Sequence, residues 1–212
     1  MGSSVRVFFP VVAVAVALSV VVGAAGAPSS TLSAIQLELG DLLFADERYG
    51  EAIPAYRRAK EGAEPGQLVR ASSGLLRALL LVAEFHSAYE EAVFLDSLGI
   101  ADDPELRTLT ADGFWAYGLF AEADAKYDEV LTRAPSNARA RHGLARSLAG
   151  RNRHEEALTE IQAALAADPA DPVLHHTHAE ILRGLRRYEA AAEALEQYID
   201  RQVIRKQNTR RK

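Results

Sequence analysis

Three histidines close together, His175, His176 and His178, are the residues of this 212-residue chain whose types and spacing most directly suggest chemistry, and that chemistry would be metal binding. On a helix His175 and His178 share a face, and His176 is expected one layer away from His142. Zinc wants three or four converging ligands, each held in place by partners of its own, and a histidine pair at i, i+3 does not supply that. No H-E-x-x-H string occurs. No metal site is therefore assigned, and a metal-dependent enzyme using His175, His176 and His178 is kept only as an alternative. The other catalytic patterns are missing too: no G-x-S-x-G elbow, no Walker-type phosphate loop, no dinucleotide fingerprint. Cysteine is absent, which excludes disulfides, thiolate metal sites and cysteine nucleophiles. The glutamates fall mainly where helices begin, as at Glu51, Glu91, Glu122 and Glu156, and the helix dipole accounts for them there without acid–base catalysis. The expectation is a non-enzyme with no catalytic residues and no cofactor.

What positions these residues is a period. Ala123, Ala157 and Ala191 stand at i, i+34 and i+68, Ala111, Ala145 and Ala179 repeat at the same interval, and so do Pro135 and Pro169. Each alanine of the first set stands three places after an aromatic or a histidine, in Phe120, His154 and Tyr188. Earlier copies begin at Tyr49 and Tyr89, ahead of Ala52 and Ala92. A period of this length signals stacked helical hairpins rather than one globular core. Asp103-Pro104 and Asp171-Pro172 place a capping carboxylate before a proline suited to a first helical turn, Ser136-Asn137 can cap in the same way, and Pro135 and Pro169 stop the preceding helices. The second unit departs from the period, because the step from Ala52 to Ala92 is longer than the common interval and the step from Ala92 to Ala123 is shorter; a longer loop around Glu64-Pro65-Gly66 is expected before it. No convincing strand is present.

These residues resemble the tetratricopeptide repeat family. Unit one matches through Leu39-Gly40-x-x-Leu43, Tyr49, Ala52, Tyr56 and Ala59, and unit four through Leu144-Ala145-x-x-Leu148, Ala157, Ile161, Ala164 and Pro169. The resemblance implies an all-α, right-handed superhelical solenoid of about five helix-turn-helix units, over about 33–65, 68–100, 104–137, 138–171 and 172–205, in a repeat domain spanning 31–205. Small residues such as Gly40 and the alanines let helices approach to roughly 8 to 10 Å, while Tyr56, Tyr127, Ile161 and Leu195 are expected to fill the space beside them. Arg107, Arg141 and His175 stand where a bulky apolar residue is usual, and Thr110 and His178 where a leucine is usual, so the later units are expected to pack more loosely.

The family also implies a groove lined by the first helix of each unit, which binds a peptide or a partner's surface. Carried onto this chain, its lining is Leu37, Asp41 and Phe44, then Arg77 and Leu81 from the divergent unit, then Thr108, Asp112 and Trp115, then Arg139, His142 and Arg146, and last His176, Glu180 and Arg183. The groove is expected to run from an apolar and acidic end to a basic one, and the basic end suits an acidic segment or a C-terminal carboxylate. The alternative is that these arginines are neutralised by nearby acids. Trp115, the only tryptophan, is either an exposed anchor for a partner or a core residue beside Phe114 and Tyr117. The Lys/Asn clamp of chaperone-tail-binding members is absent at the matching places, which disfavours that role.

Residues 1–27 read as an export segment: Arg6 is their only charge, an apolar run follows from Val7 to Val22, and small residues Gly23 to Ala27 close it. Cleavage after Ala24 or Gly26 is one outcome. The other is an uncleaved anchor, because the uncharged run from Val7 to Ala27 is long enough for a bilayer core of roughly 30 Å at about 1.5 Å per residue. The body is acidic, with a net charge of −5 for the whole chain, whereas residues 201–212 hold Arg201, Arg205, Lys206, Arg210, Arg211 and Lys212 and no acid. The tail from 206 to 212 is either a partner-seeking basic segment or a frayed, solvated terminus. Export makes nucleic acid an unexpected partner. The expectation is a protein or peptide partner, acidic in one version, membrane contact only through an uncleaved N-terminal segment, and a periplasmic or otherwise exported scaffold for envelope assembly. The alternative is an inner-membrane-anchored recruitment factor facing the periplasm. The Ala- and Arg-rich composition has a bacterial, GC-rich flavour.

Overall fold

The computed structural model describes residues 29–99 and 102–209, with side chains described from 30 to 204. Residues 1–27, expected from the sequence to be an export segment, and the side chains of the basic tail lie outside the described residues. Among the described residues ten helices pair into five hairpins: α1 (Ser29–Ala45) with α2 (Tyr49–Ala59), α3 (Pro65–Leu81) with α4 (Phe85–Ser97), α5 (Pro104–Tyr117) with α6 (Phe120–Arg133), α7 (Ala138–Gly150) with α8 (His154–Ala167), and α9 (Pro172–Gly184) with α10 (Tyr188–Thr209). There is no strand among the described residues. The capping signals act locally as their chemistry dictates. Asp103 accepts from the amides of Glu105 and Leu106, Asn137 from Ala140 and Asp171 from Val173.

The second unit differs from the sequence expectation in a way that matters later. Its extra residues are helix rather than loop: Pro65 occupies the first turn of α3, Gln67 Oε1 accepts from the Glu64 amide at 3.1 Å, and α3 runs for 17 residues where α5 runs for 14 and α7 for 13.

The periodic alanines are the contact points. Ala52, Ala92, Ala123 and Ala157 are wholly buried, as are Ala111 and Ala145. Beside them Tyr56, Tyr127 and Ile161 are buried, and the tyrosines depend on glycine opposite. A Cβ added at Gly40 would lie 2.7 Å from the Tyr56 ring, and one at Gly74, in the next unit, 2.5 Å from it. Gly143 meets the Tyr127 ring in the same way. Leu195 departs from expectation. At 42% exposed it lies on the outer side of the final helix, where no sixth unit follows within the described residues.

Four of the five unusual residues in the first helices find specific partners, whereas the Nε2 of His178 is buried without one. Arg107 pairs with Asp96 and Glu129, and Arg141 donates to Glu160 at 2.6 Å and to the Pro135 carbonyl at 2.8 Å. His175 Nε2 meets the Pro169 carbonyl at 3.0 Å, the same contact one repeat later. Thr110 is fully buried because its hydroxyl donates to the Arg107 carbonyl at 2.8 Å.

Each first helix ends on one residue in the left-handed region: Glu47, Ala83, Gly118, Asn152 and Arg186. In every case the next amide donates to the carbonyl five residues back, as Arg48 to Leu43 and Glu84 to Leu79, which closes the helix and reverses the chain. Each first helix also runs with its backbone close to that of the first helix of the following unit, whereas the second helices stand further apart and meet only through long side chains, as where Lys126 of α6 donates to Asp96 of α4 at 2.7 Å. The first helices therefore line the inner side of the curve. No described helix is long and apolar enough to cross a membrane.

Only one of these five turns has glycine at the left-handed position, so the others hold a Cβ against the following carbonyl. Ala83→Gly should raise unfolding free energy by about 0.5–1 kcal/mol in urea melts, relief of that clash outweighing glycine's entropy in the unfolded chain. A lower midpoint would contradict the proposed turn geometry.

Candidate partner-binding groove

On the inner side the first helices bring a charged and aromatic set together around Asp112. Tyr127 donates its hydroxyl to Asp112 Oδ1 at 2.7 Å, Arg146 donates to the same oxygen at 3.0 Å, and Arg139 donates to Oδ2 at 3.1 Å. Arg139 also approaches Glu105 at 3.4 Å. The Arg146 guanidinium lies over the Trp115 ring at 4.2 Å, so one cation serves a carboxylate and an aromatic face together. The glycine at 143 lets Tyr127 reach this place at all, since its ring occupies the volume a side chain would fill. Burial and then the neighbouring Asp112 carboxylate push the Tyr127 phenol up, which keeps it a hydrogen-bond donor.

A related set recurs two units earlier around Asp41. Tyr56 donates to Asp41 Oδ1 at 3.0 Å and Arg70 to Oδ2 at 2.9 Å, with Gly74 behind the ring. Burial, followed by the bond to Asp41, raises the Tyr56 phenol. Asp41, Phe44, Tyr56, Arg70 and Arg77 border a cleft of about 390 Å3. A second cleft, about 350 Å3, opens beside Arg139 and His142 and is bordered by Glu105, Asp168 and Asp171.

The residues assigned to the groove from the sequence divide accordingly. Asp41, Phe44 and Arg77 meet at one cleft, and Asp112, Trp115, Arg139, His142 and Arg146 form the other group. Leu37 and Thr108 are core residues, 3% and 0% exposed, and cannot touch a partner. They lie on the side of their helices that packs against neighbouring helices, where Thr108 satisfies its hydroxyl on the Pro104 carbonyl at 2.7 Å. Leu81 is exposed at the end of α3, away from the cleft. A count back from Ala92 misplaces the groove residues of α3, because the helix is one turn too long for it. The residues actually beside Asp41 are Arg70, Ser73 and Arg77, and such a count misses the first two.

The expected basic end is not an open cationic surface, because Asp112 and Glu105 engage Arg139 and Arg146, and Glu180 engages Arg183. Trp115 is neither a free anchor nor fully buried: Arg146 covers its face and its indole N–H is buried without an acceptor. Glu180 and Arg183 are exposed and pair with each other at 3.3 Å. His142 meets Thr177 at 2.9 Å rather than His176, whose ring packs near Tyr198 with centroids 5.3 Å apart. His175 and His178 border one cleft together with Leu158, Leu182 and Ala194, and His176 lies apart from it. Among the described residues no three histidine or acidic groups converge as metal ligands would.

His142 carries a consequence for pH. Burial first, and the Arg146 charge second, push its imidazole down to about 4, below the usual value near 6.5. Between those values the unfolded chain binds a proton that the folded chain refuses, so stability is complete above about pH 6.5 and falls as pH drops toward 4. At pH 4.5 the native chain should lose roughly 2–3 kcal/mol more than His142→Gln, measured by urea unfolding at pH 7 and 4.5. Parallel losses in both proteins would contradict the buried neutral imidazole.

Comparison with known proteins agrees with this architecture. A tetratricopeptide repeat family model matches residues 114–181, and a second matches 33–67. No curated protein matches the sequence. Among solved structures, the chain is similar in fold to TTC0263, a TPR protein of Thermus thermophilus, at 22% identity over 81% of this chain and 95% of that one, with a TM-score of 0.64. It is similar to MamA from Desulfovibrio magneticus RS-1 at 14% identity over 80% and 94%, TM-score 0.60. YrrB, described as a TPR protein with an unusual peptide-binding site, aligns at 17% identity over 79% and 84%, TM-score 0.52. With repeat matches in both halves of an unbroken stack of hairpins, the chain is a tetratricopeptide repeat protein.

Proposed function

We propose that this protein is an exported scaffold that holds an acid-bearing segment of a partner protein in the groove of its first helices, and that it works in assembly of a cell-envelope complex. The observation that carries the binding reading is the cleft bordered by Asp41, Phe44, Arg70 and Arg77, where an apolar ring and charged groups open together on the inner face. A groove of this kind is held in shape by its own repeats, so the partner meets it without the cost of ordering it. The peptide-binding site named for YrrB, a protein of similar fold, supports a peptide-binding role here. Repeat proteins of this fold act as non-catalytic scaffolds, which is the role proposed here.

Export rests on the sequence of residues 1–27, and its second version keeps that segment as an inner-membrane anchor, which the uncharged run from Val7 to Ala27 favours. Both versions put the repeats in the periplasm, and they differ in the mature N-terminus.

Two measurements test this. Tagged at the C-terminus, the full chain should capture a partner from envelope extracts. The double variant Arg70→Glu with Phe44→Ala should weaken that capture about tenfold or more, while Gln162→Lys on the outer side leaves it intact. Equal capture by the cleft variant would discard the groove. N-terminal sequencing of the protein recovered from cells should show a start after Ala24 or Gly26, or an intact segment in the membrane fraction. An intact segment in the cytosol would discard export.

A further inference from the structure

The two polar sets on the inner face are copies of one design. One constant offset, i to i+71, carries Asp41, Phe44 and Tyr56 onto Asp112, Trp115 and Tyr127, and another, i to i+69, carries Arg70, Gly74 and Arg77 onto Arg139, Gly143 and Arg146. Each copy uses a tyrosine in a glycine slot to hold an aspartate, and each aims two arginines of the next unit toward it. The copies differ in how completely they are neutralised.

The copy around Asp112 is closed. Its two arginines face two carboxylates, Asp112 and Glu105, and Arg146 is further covered by Trp115. The copy around Asp41 is short of one carboxylate. Ala34 occupies the place of Glu105, so Arg70 has Asp41 alone, and Arg77 has no hydrogen-bond or ion-pair partner among the described residues. Arg77 nonetheless borders the cleft and its charge acts on the Tyr56 phenol, which locates it beside the aspartate. Exposure agrees: the Asp41 side chain is 46% accessible and that of Asp112 is 17%.

We infer that the Asp41 copy is an open carboxylate-binding site, in which a carboxylate of the partner segment bonds to Arg77 and the free side of Arg70 and supplies the charge that Glu105 supplies in the closed copy. Phe44, in the place of Trp115, gives the segment an apolar surface next to that carboxylate. Tyr56 and Asp41 hold Arg70 in position rather than compete for the ligand, since both Asp41 oxygens are already engaged. The polarity of the groove is then the reverse of the sequence expectation, with its available positive charge in the first two units. This rests on the groove reading above and specifies the chemistry it recognises.

Two carboxylate sources fit, an acidic side chain and a chain terminus, and the probes separate them. The full chain is titrated with labelled acetyl-tetraglutamate amide, with tetraglycine carrying a free C-terminal carboxylate, and with tetraglycine amide, binding being read by anisotropy. One or both carboxylate probes should saturate and the neutral amide should not. Arg77→Gln should weaken the binding probe about tenfold, the scale of a lost charge-assisted bond. Ala34→Glu, which completes the missing carboxylate from within, should weaken it comparably, and Arg58→Gln, an exposed cation outside the cleft, should not. Circular dichroism checks that all three variants fold, which their exposed positions favour. The assignment is overturned if neither carboxylate probe saturates at millimolar concentration, or if Arg77→Gln and Ala34→Glu bind as the native chain does. Capture of the envelope partner by Arg77→Gln at native strength would overturn this site while leaving the groove in place. Failure of the Arg70/Phe44 cleft variant to affect capture would remove the groove itself.

Discussion

A tyrosine ring seated where a neighbouring helix has no side chain is the contact on which the remainder of this molecule depends. Tyr56 lies against Gly40 of its own unit and Gly74 of the next, and Tyr127 lies against Gly143 of the next. The contact joins units, because the ring and the glycine behind it belong to consecutive hairpins. It also sets the distance between first helices, and so the curvature of the inner face. Around these slots the buried alanines permit close approach, and the apolar core continues along the stack in three linked clusters.

The same contact carries the function, since the hydroxyl at the far edge of each seated ring emerges on the inner face and fixes an aspartate there. The aspartate orients arginines from the following unit, which makes the electrostatics of the groove a product of packing between units. Where a second carboxylate is at hand the set is internally neutral. Where alanine stands instead, a cation faces the cleft. Groove and scaffold are one arrangement seen from two sides, and a change in the core moves the charges on the surface.

Much of the fold was legible because the constraint is periodic. Buried Ala52, Ala123 and Ala157 were identifiable from spacing alone, and so were the caps at Asp103, Asn137 and Asp171. Three features were not. The turns hold Glu47, Ala83 and Arg186 in a left-handed conformation with no glycine to announce it, because the hydrogen bond closing the helix outweighs the local strain. The groove places in α3 were misassigned by one turn, since the residues of the irregular spacing extend a helix and a fixed count assumes otherwise. The charge balance stayed open between a basic end and arginines neutralised by acids, and the second holds: the pairing of Asp112 with Arg139 and Arg146 joins residues 27 and 34 positions apart across two units, which no local pattern reveals. Leu37 and Thr108 show the same limit, as a family position is not a side-chain direction.

Urea unfolding of Gly74→Ala and Gly143→Ala, each compared with an alanine at the open position Gly50, tests the seated-ring contact most directly. Both slot variants should lose about 1–3 kcal/mol through displacement of the tyrosine, and Gly50→Ala should lose nothing. If either slot variant unfolds at the native midpoint, the ring does not occupy its slot, and the placement of the aspartates and arginines beside it fails as well.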